Sequence, residues 1–74
     1  MRRFLVYIKL KGKYAESLVA EGVEFNNQNV ALHEILTSTI LVLDSINSIY
    51  KHYKVVGKVR IKWIDLDYFE EIIH

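Results

Sequence analysis

The chain opens on a period of two. In residues 3–11, Phe4, Val6, Ile8 and Leu10 fall on one side of an extended backbone, and Leu5, Tyr7 and Lys9 on the other. The β-branched and aromatic content suits a strand, and Gly12 predicts the turn that ends it. A second strand is predicted over residues 14–25. There Leu18 and Ala20 share one parity and Val23 and Phe25 the other, so the phase slips near Gly22. A glycine at a phase slip predicts a β-bulge at that residue. Near the other end, Val59, Ile61 and Trp63 alternate with Lys58, Arg60 and Lys62, which predicts a further strand after a turn at Gly57. Beyond it, Leu66, Phe69 and Ile73 have helical spacing, with Asp65 or Asp67 as the cap.

The middle of the chain supports two readings. In one, Asn27 or Asn29 of the polar run Asn26, Asn27, Gln28, Asn29 caps a long helix over residues 30–53, whose stripe is Leu32, Leu36, Thr39, Leu43, Ile46, Tyr50 and Tyr53. In the other, the same run is a hairpin tip. Val30 and Leu32 then alternate with Ala31 and His33 in a third strand, and Ile40, Leu41, Val42 and Leu43 form a fourth that is apolar on both faces. A short helix capped by Asp44 or Ser45 follows, carrying Ile46, Ile49, Tyr50 and Tyr53. Thr37, Ser38 and Thr39 favour the second reading, because their hydroxyls compete for backbone groups and threonine loses rotamer freedom in a helix.

The run Glu21, Gly22, Val23, Glu24, Phe25, then a polar tip, then Val30, Ala31, Leu32, His33 resembles a pattern in short uncharacterised bacterial and phage proteins. In those, a turn separates a GVxF strand from a VALR-like strand. Ser38-Thr39, Asp44-Ser45 and Trp63-Ile64-Asp65 follow here in the same order. This chain departs from the pattern in having Asn27-Gln28 for Asp-Gly and His33 for Arg. The resemblance implies a hairpin at residues 26–29 and no particular activity. The expected fold is therefore mainly β (α+β), a small five-stranded bent sheet in the order β-β-β-β-α-β-α. By analogy it resembles an SH3-like barrel. The alternative is β-β-α-β-α with one long central helix.

Seventy-four residues make one small domain, which buries only about 60% of the surface its unfolded chain exposes. Cysteine is absent, so disulfides and thiolate zinc sites are excluded, and the three histidines have no ligand spacing. Of the usual supports for a small domain, self-association remains, and an apolar content of 51% favours it. The apolar run after Arg2 and Arg3 breaks at Lys9 without a cleavage site, so no signal peptide is expected. No run approaches the roughly 18 residues of a membrane span, and a cytoplasmic location is expected.

Net charge is only +1, but the charges are segregated. All ten bases lie in two blocks: Arg2, Arg3, Lys9, Lys11 and Lys13, and Lys51, Lys54, Lys58, Arg60 and Lys62. If the first and last strands are neighbours, Arg3, Leu5, Tyr7, Lys9 and Lys11 share an outward face with Lys58, Arg60, Lys62 and Ile64. Opposed like charges destabilise a sheet, so either acids of the second strand or an anionic partner must compensate. The candidate ligand-binding residues are thus Tyr7, Lys9, Lys11, Arg60 and Lys62, with His33 as a pocket donor. The bland alternative is a solvated face neutralised by Glu16 or Glu21. Trp63 is expected in the core. A closed homodimer is the default oligomer, with Leu41, Leu43, Tyr50 and Tyr53 as candidate interface residues. No acid–base pair converges and no Gly-rich phosphate loop exists. A non-enzymatic binding protein of phage or mobile-element type is expected, without metal or cofactor, taking a host protein or a small nucleotide-like anion. An oligonucleotide-binding barrel and a structural or assembly subunit are the alternatives.

Overall fold

The computed structural model describes residues 1–64. Strands β1 (Arg2–Leu10), β2 (Glu16–Glu24), β3 (Val30–Glu34) and β4 (Thr39–Leu43) precede helix α1 (Ile46–Tyr53) and strand β5 (Gly57–Trp63). The strands form one open antiparallel sheet in the order β4-β3-β2-β1-β5. The chain is mainly β, and the alternative with one long central helix is not what forms. Among the described residues β4 and β5 do not pair, so the sheet is not closed into a barrel there. The helix expected around Leu66, Phe69 and Ile73 lies outside the described residues.

The period of two sets the faces. Phe4 pairs with Trp63, Val6 with Ile61 and Ile8 with Val59, so the apolar sides of the two most regular strands coincide. The core unites Phe4, Val6, Ile8, Ala20, Val30 and Leu32 with Ile49 and Tyr53 of α1, and Leu41, Leu43, Ile46, Val59, Ile61 and Trp63 pack around it. Trp63 meets Phe4 edge-on at 5.4 Å between ring centres, under the Arg2 guanidinium at 4.0 Å. Arg2 also donates to Glu24 on the neighbouring strand.

Residues 26–29 form a hairpin tip. Gln28 N–H donates to Phe25 C=O and Phe25 N–H to Asn29 C=O, and Asn27 Oδ1 accepts from Asn29 N–H. Gln28 takes the left-handed conformation that glycine occupies in comparable turns, at φ 76°. The break expected at residues 37–39 overlaps the β3–β4 turn, which spans residues 35–38 with Ser38 at φ 55°, while Thr39 already begins β4.

Two local expectations are corrected. The bulge is not at Gly22 but at Val19: Val6 pairs with Ala20 and Tyr7 with Leu18, which leaves Val19 unopposed. The Val19 carbonyl accepts from Ile35 N–H instead. Leu18 and Ala20 therefore face opposite sides despite their equal parity. Ser45 occupies the N-cap position of α1 with extended backbone but makes no side-chain cap hydrogen bond.

Candidate functional site

The antiparallel pairing of β1 with β5 brings Tyr7 opposite Arg60, Lys9 opposite Lys58 and Leu5 opposite Lys62. On its other side Lys9 pairs with Glu16 of β2. Arg60 bends across the strip to Glu16, its Nε 2.9 Å from both carboxylate oxygens and its Nη2 2.8 Å from Oε1. The same guanidinium lies 4.6 Å over the Tyr7 ring. Its hydrogen bond holds the Glu16 carboxyl below the usual range, with Arg60, Lys9 and Lys58 adding through space. The reciprocal bond raises the Arg60 guanidinium further. Glu16 is thus the second-strand acid that the charge pattern called for.

This pairing divides the candidate residues. Tyr7 and Arg60 occupy one another, so the Tyr7 ring is not an open stacking platform on that side. Lys62 is exposed farther along β5, opposite Leu5. His33 lies across β2 on β3, where its Nδ1 is 3.4 Å from Glu21 Oε1. It borders a different hollow, of about 430 Å³, with Arg3, Leu5, Val23, Ile40 and Ile64. Lys9 and Lys11 remain together.

They belong to a basic end of the molecule that the strand pattern alone did not define. The end of β1 meets the start of β5, which places the β1–β2 turn beside the segment leaving α1. A cleft of about 510 Å³ is lined by Lys9, Leu10, Lys11, Gly12, Lys13, Tyr14, Gly57 and Lys58. Gly57 and Lys58 also border a hollow of about 300 Å³ with Tyr50, Lys51 and Lys54. Lysines from both basic blocks therefore converge. Among the described residues Lys9, Lys11, Lys13 and Lys58 make no ion pair within 4.0 Å, while Tyr14 is 96% exposed. Gly57 permits the approach: a β-carbon there would lie 2.5 Å from the Lys9 carbonyl oxygen. Lys13, Tyr14, Lys51, Lys54 and Gly57 were not among the candidate ligand-binding residues read from the sequence. The signal available was the β1–β5 pairing itself, followed past the strand ends.

The candidate interface residues also separate. Leu41 and Leu43 pack against the core, and Tyr53 is buried between α1 and the sheet as part of that core. Tyr50 is 43% exposed. The exposed apolar side chains of β4 are instead Ile40 and Val42. No group of histidine, aspartate and glutamate among the described residues is placed to hold a metal ion. No helix among them is long and apolar enough to cross a membrane. No protein-family model, curated protein or solved structure matches the chain.

Proposed function

We propose that this chain is a non-enzymatic binding protein whose basic end takes a small phosphate-bearing, nucleotide-like ligand. The observation that carries this reading is the cleft of Lys9, Lys11, Lys13 and Lys58 beside the exposed Tyr14 ring. Lysine ammoniums are compact, flexible charges suited to phosphate oxygens, and a tyrosine face adds stacking that tolerates any base. Glu16 is bound to Arg60, and among the described residues no carboxylate lies within ion-pairing distance of these lysines. With a net charge of +1, a small ligand fits better than long DNA or RNA, whose binders are strongly basic.

Titration of the full chain with ATP, followed by amide NMR shifts and by thermal unfolding, tests the reading. The expected result is shifts centred on residues 9–14 and 54–58, with a rise in Tm because a ligand of the native state stabilises it. Lys13→Glu combined with Lys58→Glu, both on exposed side chains, should abolish both responses without unfolding the sheet. Absence of stabilisation at millimolar ATP would overturn the proposal. A short oligonucleotide binding more tightly, with affinity falling steeply in salt, would replace it by single-strand recognition at the same cleft.

A further inference from the structure

We propose that β4 is a dimerisation edge, along which two copies of this chain pair antiparallel about a two-fold axis at Leu41 and join their sheets. An edge strand presents a row of unpaired N–H and C=O groups that templates another strand, and proteins usually blunt such edges with charge, proline or bulges. The two edges of this sheet differ in that respect. On β5, Lys58, Arg60 and Lys62 stand at alternate positions. Self-pairing of β5 about Arg60 would set Lys58 against Lys62 and Arg60 against itself, and like charges directly opposed destabilise a ladder. On β4 the sequence TILVL holds no charge, no proline and no glycine, and its register with β3 is unbroken. Its outer side has no strand partner among the described residues.

The sequence of β4 is also complementary to itself. In antiparallel pairing about Leu41, Ile40 lies opposite Val42 of the second copy, twice, and Thr39 lies opposite Leu43. Ile40 and Val42 are 70% and 73% exposed on the side of the sheet away from α1, an unusual state for β-branched apolar residues. Across the axis they would make two apolar cross-strand contacts of the kind that stabilises sheets. Leu41 and Leu43 already face the core, so the core face would continue from one copy into the next. An isologous contact of this kind closes at two copies, whereas β4 on β5 would be head-to-tail and open-ended. A five-residue edge lies at the small end of stable interfaces, so the dimer should dissociate in the micromolar range. This dimer leaves the basic cleft free and does not depend on what the cleft binds.

The test is sedimentation equilibrium of the full chain across the micromolar range, with amide exchange of residues 39–43 at both ends of it. The expected result is a mass that doubles with concentration, with β4 amides gaining protection in step. Ile40→Lys with Val42→Lys opposes like charges across the axis on already exposed positions. It should leave a folded monomer at every concentration. Mixing it with Ile40→Glu/Val42→Glu should restore a dimer through opposite charges, a rescue that misfolding could not produce. A monomer throughout, a dimer that survives the double-lysine change, or growth into longer polymers would each overturn the proposal. So would full β4 protection in the dilute monomer, which would show that the chain covers this edge itself.

Discussion

Gly22 is a residue whose role its neighbours in space define. A β-carbon there would lie 2.6 Å from the Ala31 carbonyl oxygen and 2.6 Å from Cζ of the buried Phe4 ring. Both obstacles are firm: one is backbone in the β2–β3 ladder, the other is wedged against Trp63. Gly22→Ala should therefore destabilise the fold by about 1–3 kcal/mol, the usual range for overpacking a core, read as a lower urea midpoint at unchanged m-value. In the sequence this glycine marked a phase slip, and the slip is real. Its location was not legible, because Leu18 and Ala20 have equal parity and nothing in Val19 announces that it stands unopposed. Only the pairing of Val6 with Ala20 and Tyr7 with Leu18 places the bulge there.

At the scale of elements, the hairpin between β2 and β3 shows how a local choice was resolved. The stripe over residues 30–53 has helical spacing and could not by itself exclude a long helix. The strand outcome follows from the polar tip and from Thr37, Ser38 and Thr39, which are poor helix interior. The tip carries a residual cost, since Gln28 holds φ 76° with a side chain present. The left-handed region disfavours a β-carbon by about 1–2 kcal/mol. Gln28→Gly is expected to raise stability by about 0.5–1 kcal/mol, less than the relieved strain because glycine also enlarges the unfolded ensemble. Chemical denaturation monitored by Trp63 fluorescence would measure it. This change and Gly22→Ala have the same physical origin, the space and conformation open to one β-carbon, and both show glycine as the better residue. The apolar character of β4 was equally plain in the sequence. That it forms an edge and not the centre of the sheet was not.

At the scale of the molecule, Tyr53 ties α1 to the sheet. Its hydroxyl donates to Glu34 Oε2 at 2.7 Å, and His52 Nε2 stands 3.5 Å from the same oxygen. Burial, then the Glu34 hydrogen bond and charge, raise the Tyr53 phenol well above its ordinary value. The unfolded chain loses this proton near pH 10 while the folded chain keeps it. The stabilisation is therefore complete below about pH 10 and declines as pH rises beyond it. Tyr53→Phe should cost about 1 kcal/mol at neutral pH, the typical net worth of one hydrogen bond, and should flatten the alkaline decline. Urea midpoints of both proteins between about pH 7 and pH 11 would show the two curves converging.

The sequence by itself determined the alternation of the first and last strands, the turn at residue 12 and the segregation of all ten bases into two blocks, and it left residues 26–53 open between a hairpin with a short helix and one long helix. These follow from backbone period and residue preference, which act over a few neighbours. Tertiary structure decided which strand ends meet, and so drew Lys9, Lys11, Lys13 and Lys58 into one cleft while Arg60 turned to Glu16. It also left β4 at an edge and the bulge at Val19. Those outcomes depend on strand order and register, which come from contacts between residues far apart in the chain. Each strand carries a record of its own faces but not of its neighbours.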